Sequence, residues 1–254
     1  MIPIKTQQEI KIMHEGGRIL AKVLEELKNH IKPGIATKDL DKLACELILK
    51  MGASPSFKGY KAKKDKKAFP YALCTCLNEQ IVHCVPGSRK LQISDVLSLD
   101  LGIFYKGFHT DAAITLPVGE IDDEARRLIR VGKKALKRGL KKVRPGSTIG
   151  DIGNTIQRYV ESQGFYVIKE LTGHGIGKNL HEPPQVLNFG KRHTGEILKH
   201  GMCLAIEPMI CAGNAKSIKA KDGFGYRTSD NSLAVHFEHT VAVRENGCEV
   251  LTSF

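Results

Sequence analysis

The sequence predicts an α/β fold built from two related halves, and three observations carry that prediction. A helix, a Pro-Gly break and a second helix occur twice at a constant offset of 112 residues, which relates Pro33 to Pro145, Asp39 to Asp151 and Gly52 to Gly164. Ribbons rich in β-branched and apolar residues follow each helical unit. Carboxylates are set into those ribbons at Asp100, Asp111, Glu207 and Glu238. A repeat of this size implies an internal duplication, the alternative being a chance likeness of two Pro-Gly breaks. The expectation is one catalytic-sized domain over 1–254, with halves at about 1–112 and 113–254. Their sheets should join, and the paired sites should meet between them.

The first helix is expected from Gln7 to about Asn29. Ile10, Met13, Gly17, Leu20, Val23, Leu24 and Leu27 recur at helical spacing, and Thr6 with Glu9 forms a capping box. Ile31-Lys32-Pro33-Gly34 ends it, and a second helix runs from near Thr37 to Met51-Gly52. Val96–Phe104 and Phe108–Ile114 read as a hairpin turning at Lys106-Gly107. With a two-residue loop, Tyr105 pairs with Phe108 and Gly102 with Asp111. Asp100 then lies on the same face as Asp111, one diagonal step away, while a slip of one residue would separate them. Two like charges in a half-buried sheet need a proton or a cation between them. That pattern points to a metal site, or else to one turn-capping Asp and one solvated edge residue.

The second half repeats the helical unit from Asp122 to Leu140, through Val143-Arg144-Pro145-Gly146, and on to Gly164. Leu171–Pro184 follows, with three alternating glycines framing His174 and with His181 seven residues on. The Walker ending and the dinucleotide spacing are both missing, so a phosphate loop is a poor reading. Met202–Met209 and Ser232–Val243 read as strands carrying Glu207 and Glu238. A charge in such an apolar run requires a partner, although an exposed edge strand would also accommodate Glu238. His14, His30, His109, His193, His200, His236 and His239 read as surface residues or as supports of the site.

Composition narrows the class. The 254 residues, 41% hydrophobic, fit a globular chain with a substantial core. No apolar run reaches membrane-spanning length, and Met1–Lys5 lacks the apolar stretch of a signal peptide. Seven cysteines with scattered spacing fit reduced thiols and a cytoplasmic location. Cys74-Thr75-Cys76 has no second pair with which to form a zinc knuckle. The net charge of +12 favours an anionic neighbour such as nucleic acid and is equally compatible with simple solubility.

Several motifs, in order, carry a family resemblance. They are Asn78-Glu79 with His83, Leu99-Asp100-Leu101-Gly102, Gly107-Phe108-His109-Thr110-Asp111, Gly173-His174-Gly175-Ile176-Gly177, His181-Glu182-Pro183-Pro184, Ile206-Glu207-Pro208 and Glu238-His239-Thr240. Through these the chain resembles type I methionine aminopeptidases along nearly its whole length. The resemblance implies the pita-bread α/β fold with a pseudo-twofold axis. It implies a centre of two divalent ions, Co, Mn, Fe or Zn, on Asp100, Asp111, His174, Glu207 and Glu238, with Asp111 and Glu238 bridging. It implies hydrolysis of N-terminal methionine from nascent chains with a small second residue, by a metal-bridging hydroxide. His181 is then expected at the substrate carbonyl and His83 at its amide nitrogen. Phe57, Tyr60, Phe69, Cys74, Leu180 and Phe224 match the methionine pocket, an apolar and sulfur-containing lining that suits a thioether. Where a short link is expected between Tyr60 and Phe69, this chain carries Lys61-Ala62-Lys63-Lys64-Asp65-Lys66-Lys67-Ala68. That basic stretch is a candidate for docking on ribosomal RNA. A monomer is expected, and with no apolar run of spanning length no membrane partner is expected.

Overall fold

Helix formation starts where the sequence supplies caps. In a computed structural model describing residues 1–62 and 66–253, α1 (Gln7–His30) opens with the reciprocal Thr6–Glu9 capping box, and Ile31 ends it. Beyond Pro33-Gly34, α2 (Thr37–Lys50) begins without a side-chain cap. Four strands and a hairpin partner follow: β1 (Ser54–Pro55), β2 (Leu73–Leu77), β3 (Gln80–Val82), β4 (Val96–Tyr105) and β5 (Phe108–Pro117). Then come α3 (Asp123–Leu140), capped by Asp122, and α4 (Ile149–Ser162), capped by a Thr148–Asp151 box. The remaining strands are β6 (Tyr166–Val167), β7 (Gly173–Gly175), β8 (Glu182–Val186), β9 (Cys203–Ile206), β10 (Met209–Cys211), β11 (Ser217–Lys219), β12 (Tyr226–Thr228), β13 (Ala234–His236), β14 (His239–Arg244) and β15 (Gly247–Val250).

Each helix pair covers its own sheet. Leu20, Leu24, Leu27, Leu40, Ala44 and Ile48 of α1 and α2 are buried with Leu73, Leu97, Leu99, Leu101 and Ile103 of β2 and β4. Leu128, Val131, Ala135, Ile152, Ile156 and Val160 of α3 and α4 are buried with Leu204, Ile206, Ile210, Val235, Val241 and Val243 of β9, β10, β13 and β14. An isolated antiparallel bridge precedes the second helix of each pair, Ala36 to Lys90 and Thr148 to Ile197. Ala36 and Thr148 are again 112 apart.

In the first half β4 is flanked by β1, β2 and β5, all antiparallel. In the second half β15, β14, β9, β7 and β8 form one antiparallel sheet, and β13, β10 and β6 form another. The halves are tied across β5. Glu238 N donates to Ala113 O at 2.9 Å. Thr240 Oγ1 accepts from Asp111 N and donates to Asp111 O, both at 2.8 Å. Gly17 lets α1 lie against the chain's last turn, since a Cβ there would stand 2.1 Å from Leu251 O.

Two expected strands are each divided. Met202–Met209 breaks at Glu207-Pro208, because a proline cannot donate to the ladder. Ser232–Val243 breaks at Phe237-Glu238, where the chain passes from the β13 sheet to the β14 sheet. No described helix is long and apolar enough to cross a membrane.

Candidate metal centre

The hairpin has the predicted register. Tyr105 pairs with Phe108, Gly102 with Asp111 and Asp100 with Ala113, so the two aspartates share one face. The two strand breaks bring in the glutamates. Met209 pairs with His236 on one side and Ile206 with His239 on the other. Carried across the break, that register sets Glu207 opposite Glu238. Leaving the ladder at the same level lets both carboxylates turn toward the hairpin face.

His174 comes from β7, opposite Ala205 of β9. Its Nδ1 lies 2.8 Å from Gly175 O and donates to it, which leaves Nε2 bare as a ligand nitrogen, 3.7 Å from Glu207 Oε1. The flanking glycines have a packing cause. A Cβ on Gly173 would stand 2.4 Å from Ala205 O, and one on Gly175 would stand 2.2 Å from Pro183 O. Neighbouring backbone, not a ligand, requires the close approach that the alternating glycines indicate.

Asp100, Asp111, Glu207 and Glu238 are all buried, Glu238 at 2% exposure, and among the described residues no lysine or arginine pairs with any of them. Burial and the charge on Asp111 push Asp100 well above the carboxylate range, and burial carries Asp111 to about 7. Burial and the neighbouring aspartates raise Glu207 and Glu238 in the same way. Burial drives His174 down to about 3. Asp100 Oδ1, Asp111 Oδ1 and Glu238 Oε1 are buried without a hydrogen-bond partner. Ligand atoms of Asp111, His174 and Glu238 lie within 4.8 Å of one another. Orphaned oxygens, a bare imidazole nitrogen and a shortage of positive charge fit divalent cations, and the hard donor set suits Mn, Fe or Co better than a thiolate zinc site does.

These side chains floor a cavity of about 560 Å³. All thirteen residues expected at the site line it: Phe57, Tyr60, Phe69, Cys74, His83, Asp100, Asp111, His174, Leu180, His181, Glu207, Phe224 and Glu238. His83 follows β3 with φ of 59°, a strained setting for a non-glycine residue. His181 Nδ1 lies 2.6 Å from Tyr60 Oη, and its ring meets that of His174 edge-on at 4.3 Å. Phe69 and Phe224 form an edge-to-face pair at 5.5 Å. Gly102 makes room for Phe57, since a Cβ there would stand 2.7 Å from that ring. Tyr60 and Phe69 both reach the wall although the lysine-rich stretch separates them. Within that stretch Lys63, Lys64 and Asp65 lie outside the described residues.

Sequence reasoning missed Val82, Leu171, Met209 and Tyr226 in the wall. Met209 had a signal, two positions beyond Glu207 across a strand-breaking proline. The other three had none, because the topology that brings them together is non-local. Cys74, Cys76 and Cys84 are buried and none of them forms a disulfide.

Comparison with known proteins agrees with this geometry. The model of metallopeptidase family M24 matches residues 11–245. Methionine aminopeptidase 1 of Bacillus subtilis is 45% identical over 252 residues, covering 99% of both chains. The crystal structure of methionine aminopeptidase from Thermotoga maritima superposes with a TM-score of 0.96 at 41% identity, covering 100% of both chains. That of methionine aminopeptidase from Rickettsia prowazekii gives 0.96 at 36% identity, again over 100% of both. The fold is the pita-bread α/β fold of the creatinase and aminopeptidase group. A family model spanning most of the chain, together with full-length relatives well above 30% identity, leads to one conclusion: this chain belongs to metallopeptidase family M24.

Proposed function

We propose that this protein hydrolyses the N-terminal methionine from nascent proteins and peptides whose second residue is small. Four buried carboxylates with no lysine or arginine paired to them among the described residues, set beneath an aromatic cavity, carry the reading. Asp100, Asp111, His174, Glu207 and Glu238 would hold two divalent ions, drawn from Mn, Fe, Co and Zn, with Asp111 and Glu238 shared between them. The clustering of the Asp111, Glu238 and His174 ligand atoms supports that sharing. Divalent ions bound there supply Lewis-acid polarisation of the scissile carbonyl and lower the pKa of an attacking water.

The chain's own groups do the rest. His181, oriented by Tyr60, faces the cleft beside His174 and would hydrogen-bond the substrate carbonyl oxygen as negative charge develops on it. His83, exposed to the same cavity, would donate a proton to the amide nitrogen as the amine leaves. Phe57, Tyr60, Phe69, Cys74, Leu180 and Phe224 would take the thioether side chain. Selectivity over other apolar side chains should then be modest, about 1–3 kcal/mol per methylene.

The two separate cores and the paired bridges at Ala36 and Thr148 support a single catalytic domain, 1–254, made of duplicated halves. The lysine-rich stretch supports a docking contact with ribosomal RNA, and the reading is completed by a monomer working in the cytoplasm.

The test is methionine release from Met-Ala-Ser and Met-Lys-Ser peptides. We expect rapid cleavage of the first and poor cleavage of the second, loss of both with a chelator, and recovery on adding Mn, Co or Fe. Full activity in a metal-free preparation would overturn the reading.

A further inference from the structure

His236 has no part in the mechanism above, yet it is 1% exposed and lies against the carboxylate cluster. Its Nε2 stands 3.4 Å from Glu207 Oε2 and 3.9 Å from Glu238 Oε2. Neither ring nitrogen has a hydrogen-bond partner. The backbone beneath it is fixed twice, since His236 N donates to Thr115 Oγ1 at 3.0 Å and Thr115 Oγ1 donates to His236 O at 2.7 Å. It also pairs with Met209 in the strand that carries the chain away from Glu207. A buried imidazole without partners costs free energy, and hydrophobic residues of similar volume would fill the space better. Its position between two glutamates gives it a purpose that packing does not.

We propose that His236 is a positioning residue: its Nε2 would carry the proton and donate it to Glu207 Oε2, the nearest acceptor at 3.4 Å, with Glu238 Oε2 next at 3.9 Å, and would hold the glutamates in place when divalent ions are bound. This rests on the reading of those glutamates as ligands. A carboxylate bound to a cation through one oxygen keeps the other free to accept, and outer partners of this kind orient ligands and tune affinity.

The test is calorimetric titration of the full-length, metal-free protein with Mn²⁺, comparing the natural chain with His236→Leu and His236→Gln. Leucine fills the volume without a donor, whereas glutamine restores an N–H at similar reach. We expect His236→Leu to bind Mn²⁺ about 10–100-fold more weakly and His236→Gln to recover most of that loss. Unchanged affinity in His236→Leu would reduce His236 to packing and overturn the proposal. Equal weakness in His236→Gln would make the imidazole a direct ligand and also overturn it. Failure of the natural chain to bind Mn²⁺ at all would instead overturn the metal-centre reading. A measurement on the natural chain guards against a leucine variant that does not fold. In ¹⁵N-histidine-labelled protein loaded with Zn²⁺, His236 should show a slowly exchanging proton on Nε2 and a bare Nδ1. The opposite tautomer would sink the proposal without any substitution.

Discussion

Asp111 is the residue on which both halves converge. Its backbone is clamped from both sides by the Thr240 hydroxyl, whose own strand begins one residue after Glu238. Its side chain has an oxygen within 4.8 Å of ligand atoms on both His174 and Glu238. If Asp111 and Glu238 are shared ligands as proposed, losing either should disturb both ions, whereas losing His83 should remove the proposed proton donor and leave the ions in place. Asp111→Asn and Glu238→Gln should therefore each lower Mn²⁺ affinity by about 100-fold or more, beyond the 10–100-fold typical of outer partners. His83→Ala should retain the metal and lose about 10²–10⁴-fold in kcat, the range of a general acid. Metal analysis after gel filtration, alongside kcat and KM for Met-Ala-Ser, separates the two classes. Equal and mild losses in all three variants would remove the roles assigned here.

The hairpin of β4 and β5 shows why part of the site was legible at the level of elements. A two-residue loop leaves one register, so Asp100 and Asp111 could be placed on one face from sequence alone. The duplicated helices were legible for a similar reason, since caps and Pro-Gly breaks act locally. Glu207 and Glu238 were seen as misplaced charges; Pro208 marks the first break, but alternation continues through the second, so the crossing from the β13 sheet to the β14 sheet left no local mark. Nor did the strands that surround His236, because they come from distant parts of the chain. The hairpin's entrance depends on Asp95, which the sequence did not single out. Its carboxylate takes both Arg89 nitrogens at 2.9 and 2.8 Å, Gln92 N at 2.8 Å and Asn78 Nδ2 at 3.0 Å. Burial works to raise this carboxyl, and the Arg89, Gln92 and Asn78 donors overcome it, leaving its pKa below the ordinary value. A depressed acid contributes stability that is present above the unfolded pKa of about 3.9 and is lost as pH falls. Asp95→Asn should cost about 1–3 kcal/mol at pH 7, the scale of leaving buried donors unmatched. That difference should shrink as the pH falls below about 4. Urea unfolding of both chains at pH 7 and at pH 3.5 measures it, and a difference independent of pH would show that the charge on Asp95 contributes nothing.

At the scale of the whole molecule, charge separates sharply by place. The chain carries a net charge of +12, yet the floor of its cavity holds four carboxylates with which no lysine or arginine pairs among the described residues. The excess of positive charge therefore lies outside the site. Lys58, Lys61, Lys63, Lys64, Lys66 and Lys67 fall within ten residues with only Asp65 opposing, and most of them lie in sequence between Tyr60 and Phe69, two residues that line the cavity. Such a run is often no more than a solvated face, but Tyr60 and Phe69, which flank it in sequence, both line the cavity, and this supports the proposed docking role. A contact with ribosomal RNA there would set the cavity where new N-termini appear. Phosphate contacts are additive and salt-sensitive, each adding about 0.7–0.9 to the slope of log K against log salt. Replacing Lys63, Lys64, Lys66 and Lys67 with Ser should weaken binding to purified ribosomes and lower the magnitude of that slope by up to about 3. Cleavage of free Met-Ala-Ser should stay nearly unchanged, because none of the four lysines is a proposed ligand or substrate contact, and Lys66 and Lys67 do not line the cavity. The two readouts discriminate between roles for the stretch. Ribosome affinity that holds while peptide cleavage falls severalfold would make it a cover over the pocket, acting on substrate passage. Loss of affinity with intact cleavage would make it a docking element, with the buried anionic centre and the exposed cationic surface working on different partners.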